Sequence, residues 1–241
     1  MIPILLRGML PRLALVALLC VAFYFLEPGF HTHAEEAAAS EEFALNLGYM
    51  GIAASLANLA GLSMLVLLGG FVSNDRRQGY YRLYFSQPTR PLAFYGLRWG
   101  LGLLMAMAAA TVFLVVGQVA AWGQFEGGWS GLYLAFLAAF AYGGMIAFLS
   151  VALTRGDAWV ALVLFLFNYF WLYAISLGVQ PLPPVLNDAV SILLPPQLAL
   201  NDVFDGLLRG EIVWGASAFT AGYGVFWLLM AGLLLRLRDW P

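Results

Sequence analysis

The chain has 241 residues, 63% of them hydrophobic and only 10% charged, with a mean hydropathy of +0.86. A soluble domain carries about 25% charged residues, so this composition excludes a water-covered globule and places the chain among polytopic membrane proteins. The net charge of −2 says little about partners, because the charges are unevenly placed; no nucleic-acid partner is expected.

A helix needs about 20 apolar residues to cross the hydrocarbon core. The first run, Leu13–Leu26, reaches that length when Met9–Arg12 joins it and Arg12 snorkels to the headgroups, giving a span over 9–26. It reads as a retained span rather than a cleaved leader, since no small-x-small site follows promptly. Glu27-Pro28 and His31-Thr32-His33 come first. Cys20, the only cysteine, lies inside this span and behaves as a small hydrophobe. Residues 27–46 form an acidic, Ala-rich outer excursion. His31 and His33 at i, i+2 lack the carboxylate or cysteine pattern of a metal site, so no metal is expected.

The second span covers 47–72. The third covers 92–122, with Leu92–Arg98 as its interfacial lead-in. Spans over 132–153, 159–177 and 212–235 complete a single transmembrane domain over residues 1–241. Gly51-xxx-Ser55, Ala57-xxx-Gly61 and Ala218-xxx-Gly222 are small-xxx-small patterns that permit close helix packing. Within the spans Asn58, Gln118 and Asn168 stand out as polar. They are candidates for a substrate path or, the commoner use, for hydrogen bonds between helices. Between the fifth and sixth spans, residues 178–211 are broken by prolines 181, 183, 184, 195 and 196. Val190–Leu194 and Leu198–Leu208 are nonetheless apolar enough to re-enter the outer leaflet as short helices, where protein shields their backbone. An ordinary surface loop is the plainer reading of the same stretch.

Charge sets the orientation. All eleven basic residues are arginine. Arg7, Arg12, Arg76, Arg77, Arg82, Arg90, Arg98, Arg155, Arg236 and Arg238 fall on one side of these spans, and only Arg209 on the other. By the positive-inside rule both termini and the loop between the second and third spans are cytoplasmic.

That loop, SNDRRQGYYRLYFSQPTRP over residues 73–91, is unusual in so apolar a chain. Asp75 suits a helix start, with Gln78 three residues on completing a capping-box-like pair. Tyr80, Tyr81, Leu83, Tyr84 and Phe85 supply apolar surface, while Arg76, Arg77 and Arg82 supply charge. Pro88 stops the helix and Pro91 lets the next begin. The expectation is a helix over 75–85 lying along the cytoplasmic face. A plain loop of headgroup-binding arginines accounts for the charge, but not for the cap, the proline stop and the aromatic cluster.

The order Arg76-Arg77, Gly79, apolar residues at 83–85, Pro88 and Arg90, between the second and third of six spans, resembles the permease subunits of type-2 (ABC-2-type) ABC exporters. In that family the segment is a coupling helix seated in a groove of a cytoplasmic ATPase. The resemblance therefore implies ATPase coupling by Asp75, Arg76, Arg77, Gly79, Tyr80, Tyr81, Arg82, Tyr84, Phe85, Pro88 and Arg90. PPQLALNDVFDGLL, before the last span, is similar to the family's outer re-entrant helix. Arg82 stands where the family often has Glu, Gln87 where it often has Ser, and Arg90 one position early. The implied fold is an all-α membrane protein of six transmembrane helices, with a cytoplasmic coupling helix between helices 2 and 3 and outer re-entrant helices between helices 5 and 6.

No GxxxxGK[ST] phosphate loop occurs in the chain. A transporter of this kind thus needs a separate ATPase, which carries the ATP and Mg; no cofactor and no catalytic residue are expected here. It also needs a second permease, identical or paralogous. The resemblance implies a prokaryotic inner or plasma membrane, membrane lipids as partners, and export of a substrate the sequence does not name. The aromatic fifth span suits a lipid-like or amphipathic one. Two other classes compete. One is a non-transporting scaffold or assembly factor that recruits an ABC-type ATPase by the same helix. The other is an integral membrane enzyme, for which the cytoplasmic acids Asp75, Asp157 and Asp239 are far apart in sequence.

Overall fold

The computed structural model describes residues 2–27, 30, 41–80, 90–178, 183, 186, 190 and 194–237, and no strand occurs among them. The helices are α1 (Ile2–Leu26), α2 (Glu41–Leu68), α3 (Ser73–Gln78), α4 (Pro91–Trp122), α5 (Trp129–Ala152), α6 (Asp157–Ser176), α7 (Gln197–Leu208) and α8 (Trp214–Leu237). Six of these segments are long and apolar enough to cross a membrane, and they coincide with the six spans expected from hydropathy to within a few residues at each end. Pro91 opens α4 in its first turn, where its missing N–H costs nothing.

Helix α5 is the hub. It packs against α2, α4, α6, α7 and α8, and most of its side chains are buried. Its sequence explains this: Gly131, Ala135, Ala138, Ala139, Ala141, Gly143, Gly144 and Ala147 are buried, and small residues let helix backbones approach where lipid supplies no hydrophobic drive. At the crossing of α5 and α8, a Cβ added to Gly144 would lie 2.5 Å from the Gly224 carbonyl oxygen and 3.0 Å from its Cα. The obstacle is backbone and cannot rotate away. Trp99 of α4 seals the same level by donating from Nε1 to the Gly143 carbonyl at 3.0 Å.

The three small-residue patterns fare differently. Gly51 and Ser55 lie under the Glu27 carboxylate, which accepts a hydrogen bond from the Ser55 hydroxyl. Gly61 packs under the Tyr142 ring. Ala218 and Gly222, however, are exposed, and a side chain at Gly222 would meet nothing within 4 Å. The face of α8 that meets α5 carries Gly224 instead.

Helix α1 is peripheral, touching α2 and α4 and exposing Leu10, Leu15, Leu18, Val21 and Phe25. Arg12 is half-buried where α1 meets the end of α2. Its Nη1 donates to the Leu67 carbonyl at the end of α2, 2.5 Å away. The last turn of α2 has carbonyls without helical partners, and the guanidinium takes one of them.

Helix α7 is short and amphipathic. Leu200, Val203 and Gly206 are buried against neighbours, whereas Asn201, Asp202 and Asp205 are exposed. It packs on α8, α5 and α2.

Candidate functional site

At the end of the bundle where the described arginines gather, α2 stops at Leu68 and a tight turn over 69–72 leads into α3. Polar side chains from α4, α5 and α6 hold this turn, with one from α3 itself. The Asp157 carboxylate, at the first residue of α6, accepts from the Gly70 N–H at 2.8 Å and from the Ser73 hydroxyl at 2.7 Å. Ser150 Oγ, near the end of α5, accepts from the N–H groups of Val72 at 3.1 Å and Ser73 at 3.3 Å. From α4, Arg98 Nη1 donates to Asp75 Oδ2 at 2.8 Å and to the Phe71 carbonyl at 3.0 Å. Its guanidinium carbon also lies 5.9 Å from the centre of the Phe71 ring. The Tyr95 hydroxyl approaches the same Asp75 oxygen at 3.4 Å. Arg76 closes the set, its Nη1 donating to the Val151 carbonyl at 3.2 Å.

Asp75 is therefore not a helix cap. Helix α3 starts two residues earlier, its N-cap position is Val72, and no side-chain cap bond forms there. Asp75 is 5% exposed and spends its charge on Arg98. The capping-box reading failed because it weighed Gln78 and ignored a cation 23 residues away. Nor does one unbroken helix run from residue 75 onward. Gly79 ends α3 in the left-handed region at φ 72°, with its N–H donating to the Arg76 carbonyl, a turn that glycine adopts without steric cost.

The other residues assigned to coupling divide by place. Arg77, Tyr80 and Arg90 are exposed, and Arg90 stands immediately before α4. Tyr81, Arg82, Tyr84, Phe85 and Pro88 lie outside the described residues, as do His31 and His33.

A second polar group lies deep in the bundle. The Tyr142 hydroxyl of α5 donates to Gln197 Oε1 at 3.3 Å, and Asn168 of α6 donates from Nδ2 to the Pro195 carbonyl at 3.1 Å. Tyr142 is ten residues from the α5 end at Ala152, and Asn168 eleven from the α6 start at Asp157. At 1.5 Å per residue both sit roughly 15 Å from the arginine-rich end, about half of the ~30 Å that a spanning helix must cover. The start of α7 thus reaches mid-bundle depth. Asn168 and Gln197 line one cleft, of about 460 Å³, between α6, α7 and α8. Asn58 and Gln197 line another, of about 340 Å³, with Asn201 and Asp205.

Gln118 does neither job in this interior. It is fully buried near the opposite end of α4, where Oε1 accepts from the Glu126 N–H at 3.0 Å and Nε2 donates to the Gly127 carbonyl at 2.9 Å. Both ends of the amide are consumed by the loop between α4 and α5.

The sequence reading missed Arg98, Ser150 and Asp157 as partners of the turn, and Tyr142 and Gln197 as partners at mid-depth. Asp157 offered one signal, an acid on the first turn of an apolar run. The others are pairings across the bundle that carry no local pattern. No protein-family model matches the chain, and no curated protein matches it in sequence.

Proposed function

We propose that the chain is the membrane-spanning permease subunit of an ATP-driven ABC-2-type exporter, working with a separate ATPase that docks on the loop beginning at α3. The observation that carries this reading is the fastening of α3. Buried and partly buried bonds tie residues 70–76 to α4 through Arg98, to α5 through Ser150 and Val151, and to α6 through Asp157. A load applied to this loop passes to three spanning helices at once, which is what a coupling element must do to rock a bundle between two packings. A headgroup-binding loop has no need of such ties.

In this reading the arginine-rich end is cytoplasmic, as the positive-inside rule requires, and the membrane is the inner or plasma membrane of a prokaryote. ATP and Mg reside on the partner ATPase, and a second permease copy or paralogue completes the pathway. Helix α7, bonded at mid-bundle depth to Tyr142 through Gln197 and preceded by Pro195-Pro196, where Asn168 donates to the Pro195 carbonyl, acts as the outer re-entrant helix.

The test is co-expression with a phosphate-loop ATPase from the adjacent reading frame, followed by pull-down from detergent. The wild-type chain retains the ATPase, and a Tyr81→Asp/Tyr84→Asp variant inserts normally but loses it. Equal retention by both, or no retention by either, contradicts the coupling role.

A further inference from the structure

We propose that the cleft between α2, α5 and α7 binds a small organic cation, its ammonium group held by Asp205 and by the carboxamides of Asn58 and Asn201. The inference names a substrate class for the transport reading and rests on that reading for the ligand's being cargo.

Helix α7 is built in stripes. Leu200, Val203 and Gly206 are its buried face, while Gln197, Asn201 and Asp205 recur every four residues and so share a polar one. That polar stripe lines a cleft of about 340 Å³, within the size range of small-molecule sites. Helix α2 lines it too, with Ala54 and Ala57 leaving room and Asn58 bringing an amide. Asn58 is ten residues before the end of α2 at Leu68, roughly 15 Å along the helix, which is the depth of Tyr142. A polar side chain so far into a spanning helix serves either a bond to another helix or a ligand path. Asn58 makes no side-chain hydrogen bond among the described residues, so the first use does not apply. It is half-buried, and its amide is open to the cleft rather than sealed like the Ser63 hydroxyl farther along α2. Asn201 and Asp205 are exposed and likewise have no side-chain bond among the described residues. Only Gln197 is anchored, its Oε1 accepting from Tyr142.

Charge decides the class of ligand. Among the described residues Asp205 is the one ionisable group lining the cleft, and no arginine lines it. Arg209, one residue past α7, lies 4.0 Å from Glu211 instead. An anion would therefore meet a carboxylate with no counter-charge. An ammonium group meets that carboxylate and two amide oxygens, and it carries only donors, which these acceptors need. Phe204 adds an aromatic wall, which attracts a cation and packs against its apolar substituent. The arginine-poor end of the bundle is acidic in sequence as well, so the wider field draws cations toward this side.

The test uses the full chain in phosphatidylcholine nanodiscs at neutral pH, with empty nanodiscs as the reference for partitioning into lipid. Three probes share a phenyl ring and a short chain: phenethylamine is a cation, phenethyl alcohol is neutral and hydrocinnamate is an anion. Binding is titrated by saturation-transfer NMR. In the wild type phenethylamine binds about tenfold or more tightly than the alcohol, the range a hydrogen bond to a charged group supports, and hydrocinnamate gives no signal above empty nanodiscs. Asp205→Asn, at an exposed position, brings amine and alcohol to within about twofold of each other. Asp202→Asn removes an equally exposed acid of α7 that lines the neighbouring cleft instead, and it leaves the preference unchanged. Asn58→Leu weakens the amine by about threefold or more. If Asn58→Leu does not insert, Ala54→Phe fills the cleft from an exposed position on α2 and must abolish the amine signal. Equal binding of amine and alcohol by the wild type, a preference that survives Asp205→Asn or is lost equally in Asp202→Asn, or binding indifferent to Asn58→Leu or Ala54→Phe would overturn the proposal. None of these measurements needs an ATPase, so their failure leaves the transport reading standing, and loss of the ATPase partner leaves the cleft standing.

Discussion

Removing Arg98 should harm the protein far more than neutralising its partner Asp75. The pair is buried, with side-chain exposures of 12% and 7% and an N–O distance of 2.8 Å. In Arg98→Met, Asp75 keeps, among the described residues, the long 3.4 Å contact from Tyr95 and the more distant charge of Arg12, and the Phe71 carbonyl loses a donor. An uncompensated buried charge of this kind costs about 3–5 kcal/mol. In Asp75→Asn, an amide oxygen still faces Arg98, and Arg98 still donates to Phe71, so the cost is about 1–2 kcal/mol. For a chain of this size each kcal/mol shifts the melting midpoint by roughly 2–4 °C. Arg98→Met should therefore melt about 6–20 °C below wild type and Asp75→Asn about 2–8 °C below it. The double variant Asp75→Leu/Arg98→Met should recover much of the loss, since an apolar pair of similar volume replaces buried charge at little net cost. The assay is the monodisperse fraction left after heating in detergent, read by size-exclusion chromatography. If both single variants melt with the wild type, or if the two orders are reversed, the pair is solvated and does not fasten α3.

Two further outcomes follow from packing and from the loop between α4 and α5. Gly144→Ala sets a methyl against the Gly224 backbone and must push α5 and α8 apart, lowering stability by about 1–3 kcal/mol. Gly222→Ala on the open face of α8 should be neutral or slightly stabilising in the same melting assay. Gln118→Leu strands the Glu126 N–H and Gly127 carbonyl, at about 1–3 kcal/mol. Hydrogen exchange at residues 124–128 should then quicken while α5 stays protected; unchanged exchange would show that the amide does not hold the loop.

How far the sequence alone could be read depends on how local each cause is. The six spans were legible because length and hydropathy act within one segment, and Pro91 and the Pro195-Pro196 pair marked helix starts by removing donors. The bonds that fasten α3 were not. Asp75 looked like a cap because Gln78 follows it at the right spacing, yet burial handed it to Arg98. Asp157 looked isolated among the acids, yet the end of α6 brings it onto Gly70 and Ser73. Arg98 looked like one more positive-inside charge. Glu27 was counted with the solvated outer acids, although Gly51 and Ser55 had left room for it on α2. The small-residue pattern that named Gly51 and Ser55 signalled a close contact correctly, but sequence could not say that a carboxylate, rather than a helix backbone, would fill it.

The central claim is that the loop starting at α3 faces the cytoplasm and is gripped there by an ATPase. The chain has one native cysteine, Cys20, so a Cys20→Ala background permits a single reporter at the exposed Gln78. Labelling of Gln78→Cys by a membrane-impermeant maleimide should be absent in intact cells, rapid in inverted vesicles, and at least several-fold slower in vesicles carrying the co-expressed ATPase. Labelling of intact cells, or an inverted-vesicle rate indifferent to the ATPase, would contradict it.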